Sequence, residues 1–344
     1  MLMAVAAAWF GIAEAEARRL EAAAPGELAV RGNIKNTVHE LFAMGDYAGL
    51  ENIAGYYRSH DVRTPSGAAK LTLFYAAFHE LSGGIGPNDS PAWQAFSAKI
   101  ASWQGQFANQ PTAFIVQAVA LKSYAWSIRP RTFVREASTA GDAKFMAALR
   151  NTRAMLEQNR VIASTDPQFY ALRASLSAPL GEAPDELMAL TTQGRARFPD
   201  YLAIDFAGVD YFAAGDGMAA PGTDEAARIE AFARGAAVDP EADDKYARLY
   251  WHAYQVVYGN DLFRRSRADW PRMRAGFAAI QKHYPDAWNA NHFALFACLA
   301  GDQAAAKSAF ENLDGSEPPL TIWQSRAVVN GCRQWASRAI SSRR

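Results

Sequence analysis

The sequence has no excess of charge of either sign, since Lys+Arg and Asp+Glu both number 35. Proteins held to nucleic acid by long-range electrostatics normally carry a basic surplus, so this balance disfavours that class, although a local basic patch would be compatible with it. The apolar run from Leu2 to Ala13 is too short to cross a bilayer, which takes about 20 residues. We therefore predict no nucleic-acid partner and no integral membrane segment.

Signatures of known enzyme classes are also missing. His39-Glu40 and His79-Glu80 do not continue into the His-Glu-x-x-His pattern of zinc peptidases, and the six histidines are scattered along the chain. The sequence contains neither a Gly-x-Ser-x-Gly nucleophile elbow nor a phosphate-binding glycine loop followed by Lys-Ser/Thr. We therefore name no catalytic residue, no metal ligand and no cofactor. Whether the protein is an enzyme stays open, and the sequence favours a protein without enzymatic activity.

Cysteine is scarce, with only Cys298 and Cys332, which lie 34 residues apart. In a reducing cytoplasm they would be two buried thiols, whereas in an exported protein an even count favours a disulfide. The axes of neighbouring helices lie about 8–10 Å apart, and a disulfide needs Cα atoms within about 7 Å, so the bond requires that the cysteines face each other. Both alternatives stay open.

The N-terminal segment 1–24 has two interpretations. Its apolar run ends in Ala13-Glu14-Ala15, which fits a small-x-small cleavage site, but no Lys or Arg precedes the run as in a secretory signal. The segment is therefore either the remnant of a signal or a first helix on the body of the protein. A cytoplasmic and an exported (periplasmic) location are both consistent with the sequence.

The remaining residues 25–344 predict an all-α fold. Alanine is frequent, β-branched residues are few, and no segment alternates between apolar and polar residues, so we expect no sheet. In the stretch 283–318, Pro285 stops one helix and Asp286 is placed to cap the next. Gly301 follows as a residue free to adopt positive φ. This order predicts a helical hairpin with its turn at Gly301.

The hairpin has the length and the small residues of a tetratricopeptide repeat. Ala294 and Ala306 stand where the two helices would cross, and Phe310 precedes Pro318 by eight residues. The same aromatic-to-proline interval precedes six of the sixteen prolines, at Tyr57/Pro65, Trp103/Pro111, Phe232/Pro240, Phe263/Pro271, Phe277/Pro285 and Phe310/Pro318. We predict one domain over 25–344, a degenerate tetratricopeptide-like α-α superhelix of about fifteen helices with a weak boundary near 164–167.

Several stretches resemble a bacterial family known as domain of unknown function 4034. They are "ALKSYAWSIRPRTFV" (120–134), "RFPDYLAIDFAGVDYF" (197–212), "YARLYWHAYQVVYGNDLFRRSRADWPRMRAGF" (246–277) and "HYPDAWNANHFALFACLAGD" (283–302). In the first stretch, Arg129-Pro130-Arg131 replaces a Gly-rich connection of the family. The resemblance implies a helical, tetratricopeptide-like protein of bacterial type and no established activity, so it supplies no catalytic residues.

The segment 246–292 holds the densest set of aromatic and polar residues. Tyr254 and Tyr258 share a helix face, and Trp288, Asn291 and His292 share another where such hairpins face their concave groove. We predict that these five residues line a groove that binds a protein or peptide partner on a non-enzymatic scaffold. The competing interpretation is that they pack between helices.

Two other hypotheses are kept. In the first, an enzyme or a module that binds a glycan or small molecule uses a closed pocket built from Trp251, His252, Asp269, Trp270 and Trp288. In the second, the helical body is structural and its partner contacts lie in the long loops. The identity of a partner and the oligomeric state are not fixed by any feature of the sequence.

Overall fold

The computed structural model describes residues 26–129, 139–214, 224–238, 242–313 and 318–338. Within these ranges the chain is all helix and loop, with one isolated antiparallel bridge between Arg63 and Ala69 and no strand. The predicted all-α class is therefore confirmed. The N-terminal segment 1–24 and most of the Arg129-Pro130-Arg131 connection lie outside the described residues.

Contacts divide the chain into two compact units. The first contains residues up to Thr64 and from Ala68 to Tyr211, and the second contains Pro65–Gly67 and residues from Phe212 onward. The single domain over 25–344 stays a prediction. Residues 164–167, where a weak boundary was predicted, lie in the first unit, and Asp166 is completely buried there.

The first unit is built from helices that we number α1 to α11. They are α1 Glu27–Met44, α2 Tyr47–His60, α3 Lys70–Gly83, α4 Ser90–Gln106, α5 Thr112–Ile128, α6 Thr139–Gln158, α7 Arg160–Ala163, α8 Pro167–Ser175, α9 Ser177–Leu180, α10 Pro184–Arg197 and α11 Ala203–Ala213. The last two residues of α11 fall past the boundary of the unit. Helix α3 packs on α1 and α5, and α5 packs on α6.

The second unit continues with α12 to α19. They are α12 Glu225–Ala236, α13 Asp243–Ala253, a π-helix Tyr254–Tyr258, a 3-10 turn Gly259–Asp261, α14 Leu262–Arg265, α15 Trp270–His283, α16 Ala287–Ala300, α17 Gln303–Glu311, α18 Leu320–Trp323 and α19 Arg326–Ser337. The described residues form nineteen α-helices, four more than the predicted fifteen, and the four shortest have four residues each. The superhelical arrangement stays a prediction.

Local sequence signals set the ends of the predicted hairpin. The Asp286 carboxylate accepts a hydrogen bond from the backbone N–H of Trp288 at 2.8 Å, and Gly301 ends α16 with a φ of 73°. Asp302 then caps α17 by accepting from Ala305 N. Ala294 and Ala306 are completely buried, which allows α16 and α17 to approach closely. The predicted hairpin is therefore present.

Aromatic clusters form the core of each unit. In the first, Phe42 contacts Phe78 and Phe96 at ring-centroid distances of 5.3 and 5.0 Å. In the second, Phe277 stacks on Phe293 and Phe296 at 5.7 and 5.1 Å. Such pairs add specific ring contacts to the burial of large apolar surfaces. Of the helices described, none combines the length and apolar composition that crossing a membrane would require.

The tripeptide Pro65–Gly67 supplies the second unit with a buried backbone acceptor. The carbonyl oxygen of Ser66 accepts hydrogen bonds from Arg248 Nη2 at 3.0 Å and from Asn289 Nδ2 at 3.2 Å. Ser66 itself is 1% exposed. Two buried polar side chains of the second unit therefore share a partner far away in the sequence.

Candidate functional site

The backbone changes its helical period in the segment that was predicted to be functional. After α13, the backbone N–H of Gly259 donates to the carbonyl of Tyr254, five residues back, and a π-helix covers Tyr254–Tyr258. Gly259 ends this turn with a φ of 53°. A 3-10 turn and α14 follow directly, and Leu262 at the start of α14 is completely buried. Short π-helices occur often at functional sites.

Both tyrosines of this segment are buried. Tyr254 OH donates to Asn260 Oδ1 at 3.1 Å and accepts from Gln324 Nε2 at 3.4 Å, and burial raises its pKa above the ordinary tyrosine value. Tyr258 lies beneath the Arg265 guanidinium, 5.9 Å from the ring centre, and burial raises its pKa too. Both side chains therefore serve packing in this conformation.

Asn291 and His292 also lie inside the protein. Asn291 has no exposed surface, and its Oδ1 accepts a hydrogen bond from Trp323 Nε1 at 2.7 Å while its Nδ2 donates to Ala287 O at 2.8 Å. His292 Nδ1 lies 2.8 Å from the carbonyl oxygen of Trp288, so this nitrogen carries the proton and donates. The amide of Asn291 thereby ties α16 to α18.

The expectation of an open groove needs correction for four of its five residues. All four are buried: Tyr254, Tyr258, Asn291 and His292. Phe296 packs on Tyr254, Trp323 contacts Asn291, and Trp251 covers His292. Trp288 is the half-buried member of the set. An accessible binding surface in this region would therefore be built around Trp288.

Three aromatic side chains of the second unit form a cluster that we call the Trp–His–Trp cluster, consisting of Trp251, His292 and Trp288. The His292 ring centre lies 3.6 Å from that of Trp251 and 5.2 Å from that of Trp288. Both tryptophans are half-buried. Among the described residues, Trp251 Nε1 finds no hydrogen-bond acceptor although it is shielded from solvent. Such a buried donor is unusual in a folded protein and requires an explanation.

The five residues of the alternative pocket do not converge. Trp251 and Trp288 belong to the Trp–His–Trp cluster, and His252 is half-buried on α13. Asp269 caps α15 by accepting from Arg272 N, while Trp270 donates to Asp302 Oδ2 at 3.0 Å and packs on Phe263. Asp269 and Trp270 thus have structural partners of their own at the start of α15.

Cys298 on α16 and Cys332 on α19 are joined by a disulfide, with Cα atoms 6.0 Å apart. The cysteines face each other, which was the condition for the bond. Cys298 packs against a small core in which Ala297, Ala306 and Ala336 are buried. The disulfide therefore fastens the last described helix to the predicted hairpin.

The first unit holds a buried polar network that the sequence analysis did not identify. Glu51 on α2 is 7% exposed and accepts hydrogen bonds from Trp103 Nε1 at 2.9 Å and from Thr112 Oγ1 at 2.6 Å. Thr112 Oγ1 in turn accepts from Arg58 Nη2 at 3.0 Å. Burial raises the pKa of Glu51 above its ordinary value, and the two donated hydrogen bonds and Arg58 only partly oppose this effect.

Arg58 continues the network to a second carboxylate. Its Nε donates to Asp166 Oδ2 at 2.8 Å, and Tyr75 OH donates to the same oxygen at 2.6 Å. Asp166 also caps α8 by accepting from Gln168 N through Oδ1. Burial raises the pKa of Tyr75 well above the ordinary tyrosine value, so this phenol stays a donor. The guanidinium is thus fixed on one side by a completely buried carboxylate.

The other side of Arg58 borders a half-open cavity of about 200 Å³ within the first unit. Its lining is mostly apolar and aromatic with charged side chains at the base and rim: Tyr57, Arg58, Asp61, Ala69, Leu71, Pro167, Arg197, Phe198, Pro199, Asp200 and Tyr201. A sequence signal for this site exists. Glu51 and Arg58 are seven residues apart on the otherwise apolar face of α2, and charged residues on a buried face are rarely neutral to function or stability.

No group of three or more His, Cys, Asp or Glu residues able to hold a metal ion occurs in the part of the chain that the structure describes. The chain matches no family model, and neither the curated proteins nor the solved structures contain a significant relative. The resemblance to the domain of unknown function 4034 and to tetratricopeptide repeats therefore stays a prediction.

Proposed function

We propose that the chain is a non-enzymatic helical scaffold that binds a protein or peptide partner through the surface of the second unit around Trp288 and Trp251. The observation that carries this proposal is the Trp–His–Trp cluster, in which two half-buried indoles flank a buried histidine and Trp251 Nε1 lacks an acceptor. Aromatic side chains that are partly exposed on a rigid support are typical of the energetic centres of interfaces.

The surroundings of the cluster support a peptide as the occupant. Val256, on the π-helix that follows α13, is 46% exposed and offers a partner a further apolar side chain in this segment. A backbone carbonyl of a bound peptide would supply the acceptor that Trp251 Nε1 lacks after a small displacement of the ring. The π-helix supplies the local irregularity that often accompanies such sites.

The alternative of an enzyme or of a glycan or small-molecule pocket at Trp251, His252, Asp269, Trp270 and Trp288 has less support. A closed pocket would need these side chains to converge, and Asp269 and Trp270 are engaged at the start of α15. The tetratricopeptide-like hairpins and the resemblance to the domain of unknown function 4034 are kept as part of the scaffold proposal, and they contribute no activity to it.

The test selects binding peptides from a random library displayed on phage and measures their affinity by tryptophan fluorescence. We expect Trp288→Ala to weaken binding by about 30-fold or more, as for an interface hot spot, and Trp251→Phe, which keeps a ring but removes the N–H, to weaken it by about fivefold. Trp126→Ala is the matched control, because Trp126 is a 41% exposed tryptophan of the first unit.

Far-UV circular dichroism and urea unfolding of each variant separate loss of binding from loss of structure. Peptides that bind wild type and Trp288→Ala equally would place the interface elsewhere. A library that yields no specific peptide would contradict the scaffold proposal and favour the small-ligand alternative.

A further inference from the structure

We propose that the cavity beside Arg58 in the first unit binds a small monocarboxylic acid with an apolar body. The site shares no residue with the Trp–His–Trp cluster, so this proposal does not depend on the peptide-binding one. It rests on three features of the cavity: its size and lining, the fixed guanidinium at its base, and the arrangement of charges at its rim.

The size and lining suit a small organic molecule. The volume of about 200 Å³ accommodates a phenyl ring with a short side chain, and it is too small for a folded segment of another protein. The side chains of Leu71, Phe198 and Tyr201 give the walls an apolar and aromatic character, and Pro167 adds a rigid edge. Ligand sites commonly combine such walls with a small number of fixed polar groups.

Arg58 is the fixed polar group. Its hydrogen bonds to Asp166 and Thr112 use Nε and Nη2, and the Tyr75 hydroxyl also lies against its guanidinium. Its side chain retains 15% exposure and lines the cavity. Because the guanidinium is already held in place by Asp166, an incoming carboxylate would not have to order it, which lowers the entropic cost of binding.

The rim charges limit the net charge of the ligand. Arg197 is exposed at the rim and donates through Nη1 to Tyr170 OH at 2.9 Å, while Asp61 is paired with Arg63. Asp200 adds a carboxylate to the same rim. Asp166 already pairs with Arg58 and Arg63 with Asp61, so the lining offers little uncompensated positive charge, and a dianion such as phosphate would need more compensation than a monoanion. The charges therefore favour a single carboxylate.

The experiment compares three probes that share a phenyl ring and differ in charge: phenylacetate, 2-phenylethanol and 2-phenylethylammonium. Each is titrated into the full chain and followed by ligand-observed NMR and isothermal titration calorimetry. We expect saturable binding of phenylacetate, binding of the alcohol at least about tenfold weaker because it lacks the charge-assisted hydrogen bond, and no binding of the ammonium ion.

Two variants of exposed rim residues give opposite predictions, and urea unfolding of Arg197→Gln controls for its lost hydrogen bond to Tyr170. Arg197→Gln should weaken phenylacetate binding about two- to fivefold, and Asp200→Asn should strengthen it by a similar factor, as expected for solvent-exposed charges. Arg58→Met should abolish binding. That variant leaves Asp166 buried without its guanidinium and can fail to fold. If it does, Arg197→Gln and Asp200→Asn are the variants that test the proposal.

Three results would overturn the proposal. The first is that no acid probe saturates the protein at millimolar concentrations. The second is that the alcohol binds as tightly as the acid, so that the carboxylate is not recognised. The third is that Arg197→Gln and Asp200→Asn both leave phenylacetate affinity unchanged, which would place any observed binding at another site.

Discussion

The disulfide between Cys298 and Cys332 should be a major source of stability for the second unit. The two residues are separated by 34 positions, and the chain-entropy relation for a loop of that length gives about 3.8 kcal/mol at 25 °C. The bond acts by restricting the unfolded chain, so its loss should lower the free energy of unfolding even if the folded structure does not change. Helix α19 is the element held by the bond, and it should be the first to respond.

The double variant Cys298→Ala/Cys332→Ala removes the bond, and wild type treated with dithiothreitol is the matched control. With a urea slope of about 2 kcal/mol/M, the unfolding midpoint of both should fall by about 2 M relative to the oxidised protein. Trp323 and Trp335 report the transition by fluorescence, since they lie in α18 and α19. Ellman's reagent should detect thiols only after reduction.

Each single variant, Cys298→Ala and Cys332→Ala, should match the double variant, because either change breaks the same bond. Equal midpoints for the oxidised, reduced and double-variant proteins would refute the entropic reasoning. Reactive thiols in the folded protein purified without reductant would refute the pairing itself.

The remaining predictions concern a close helix contact and two buried carboxylates. A Cβ at Gly276 would collide with the backbone carbonyl of Asp243, so Gly276→Ala should destabilise the protein by about 2 kcal/mol or more. Gly331 lies within α19 and a Cβ there would contact nothing, so Gly331→Ala should stabilise the protein by about 0.5–1 kcal/mol. Thermal unfolding of the two variants tests this pair of predictions. Burial raises the pKa of Glu51 in the folded protein, so protonation of Glu51 stabilises the fold. This stabilisation is complete below the unfolded-state pKa of 4.5 and is lost as the pH rises through the folded-state pKa. Glu51→Gln should remove this part of the pH dependence of the urea midpoint. Burial alone would raise the pKa of Glu182, but hydrogen bonds from Arg173, Arg153 and Ser177 to its carboxylate outweigh burial and lower the pKa. The stability that Glu182 contributes is therefore present above pH 4.5 and is lost as the pH falls through the folded pKa. Glu182→Gln should therefore remove a stability loss in acid, and a difference of the opposite sign for either variant would contradict the assignment.

The parts of the fold that the sequence predicted correctly depend on local chemistry. Asp286 caps a helix and Gly301 ends one through interactions within a few residues. Ala294 and Ala306 are small side chains, which allow close helix packing whichever helix is the neighbour. Such features are set by short-range sequence, so a single chain is sufficient to recognise them. The class and the hairpin could be predicted for this reason.

The exposure of the candidate groove could not be predicted, because it depends on contacts distant in sequence. Periodicity places Asn291 and His292 on a shared face, but it does not say that Trp323 will contact the amide or that Trp251 will cover the imidazole. The boundary after Tyr211 likewise results from the sum of long-range contacts. The buried network of Glu51 was not predicted, because its partners Thr112 and Trp103 lie 61 and 52 residues away in the sequence.

The tripeptide Pro65–Gly67 belongs to the second unit although it lies early in the sequence, and this affects how the unit folds and how a fragment of it can be produced. Ser66 lies 182 residues before Arg248 and 223 before Asn289, so the acceptor is synthesised long before both of its donors. During translation the second unit cannot complete its buried hydrogen bonds until the ribosome has passed α16, and closing loops of this length slows folding. A recombinant fragment that begins at Phe212 would remove this acceptor from two buried donors. Such a fragment should be made as a fusion or co-expression that restores residues 65–67.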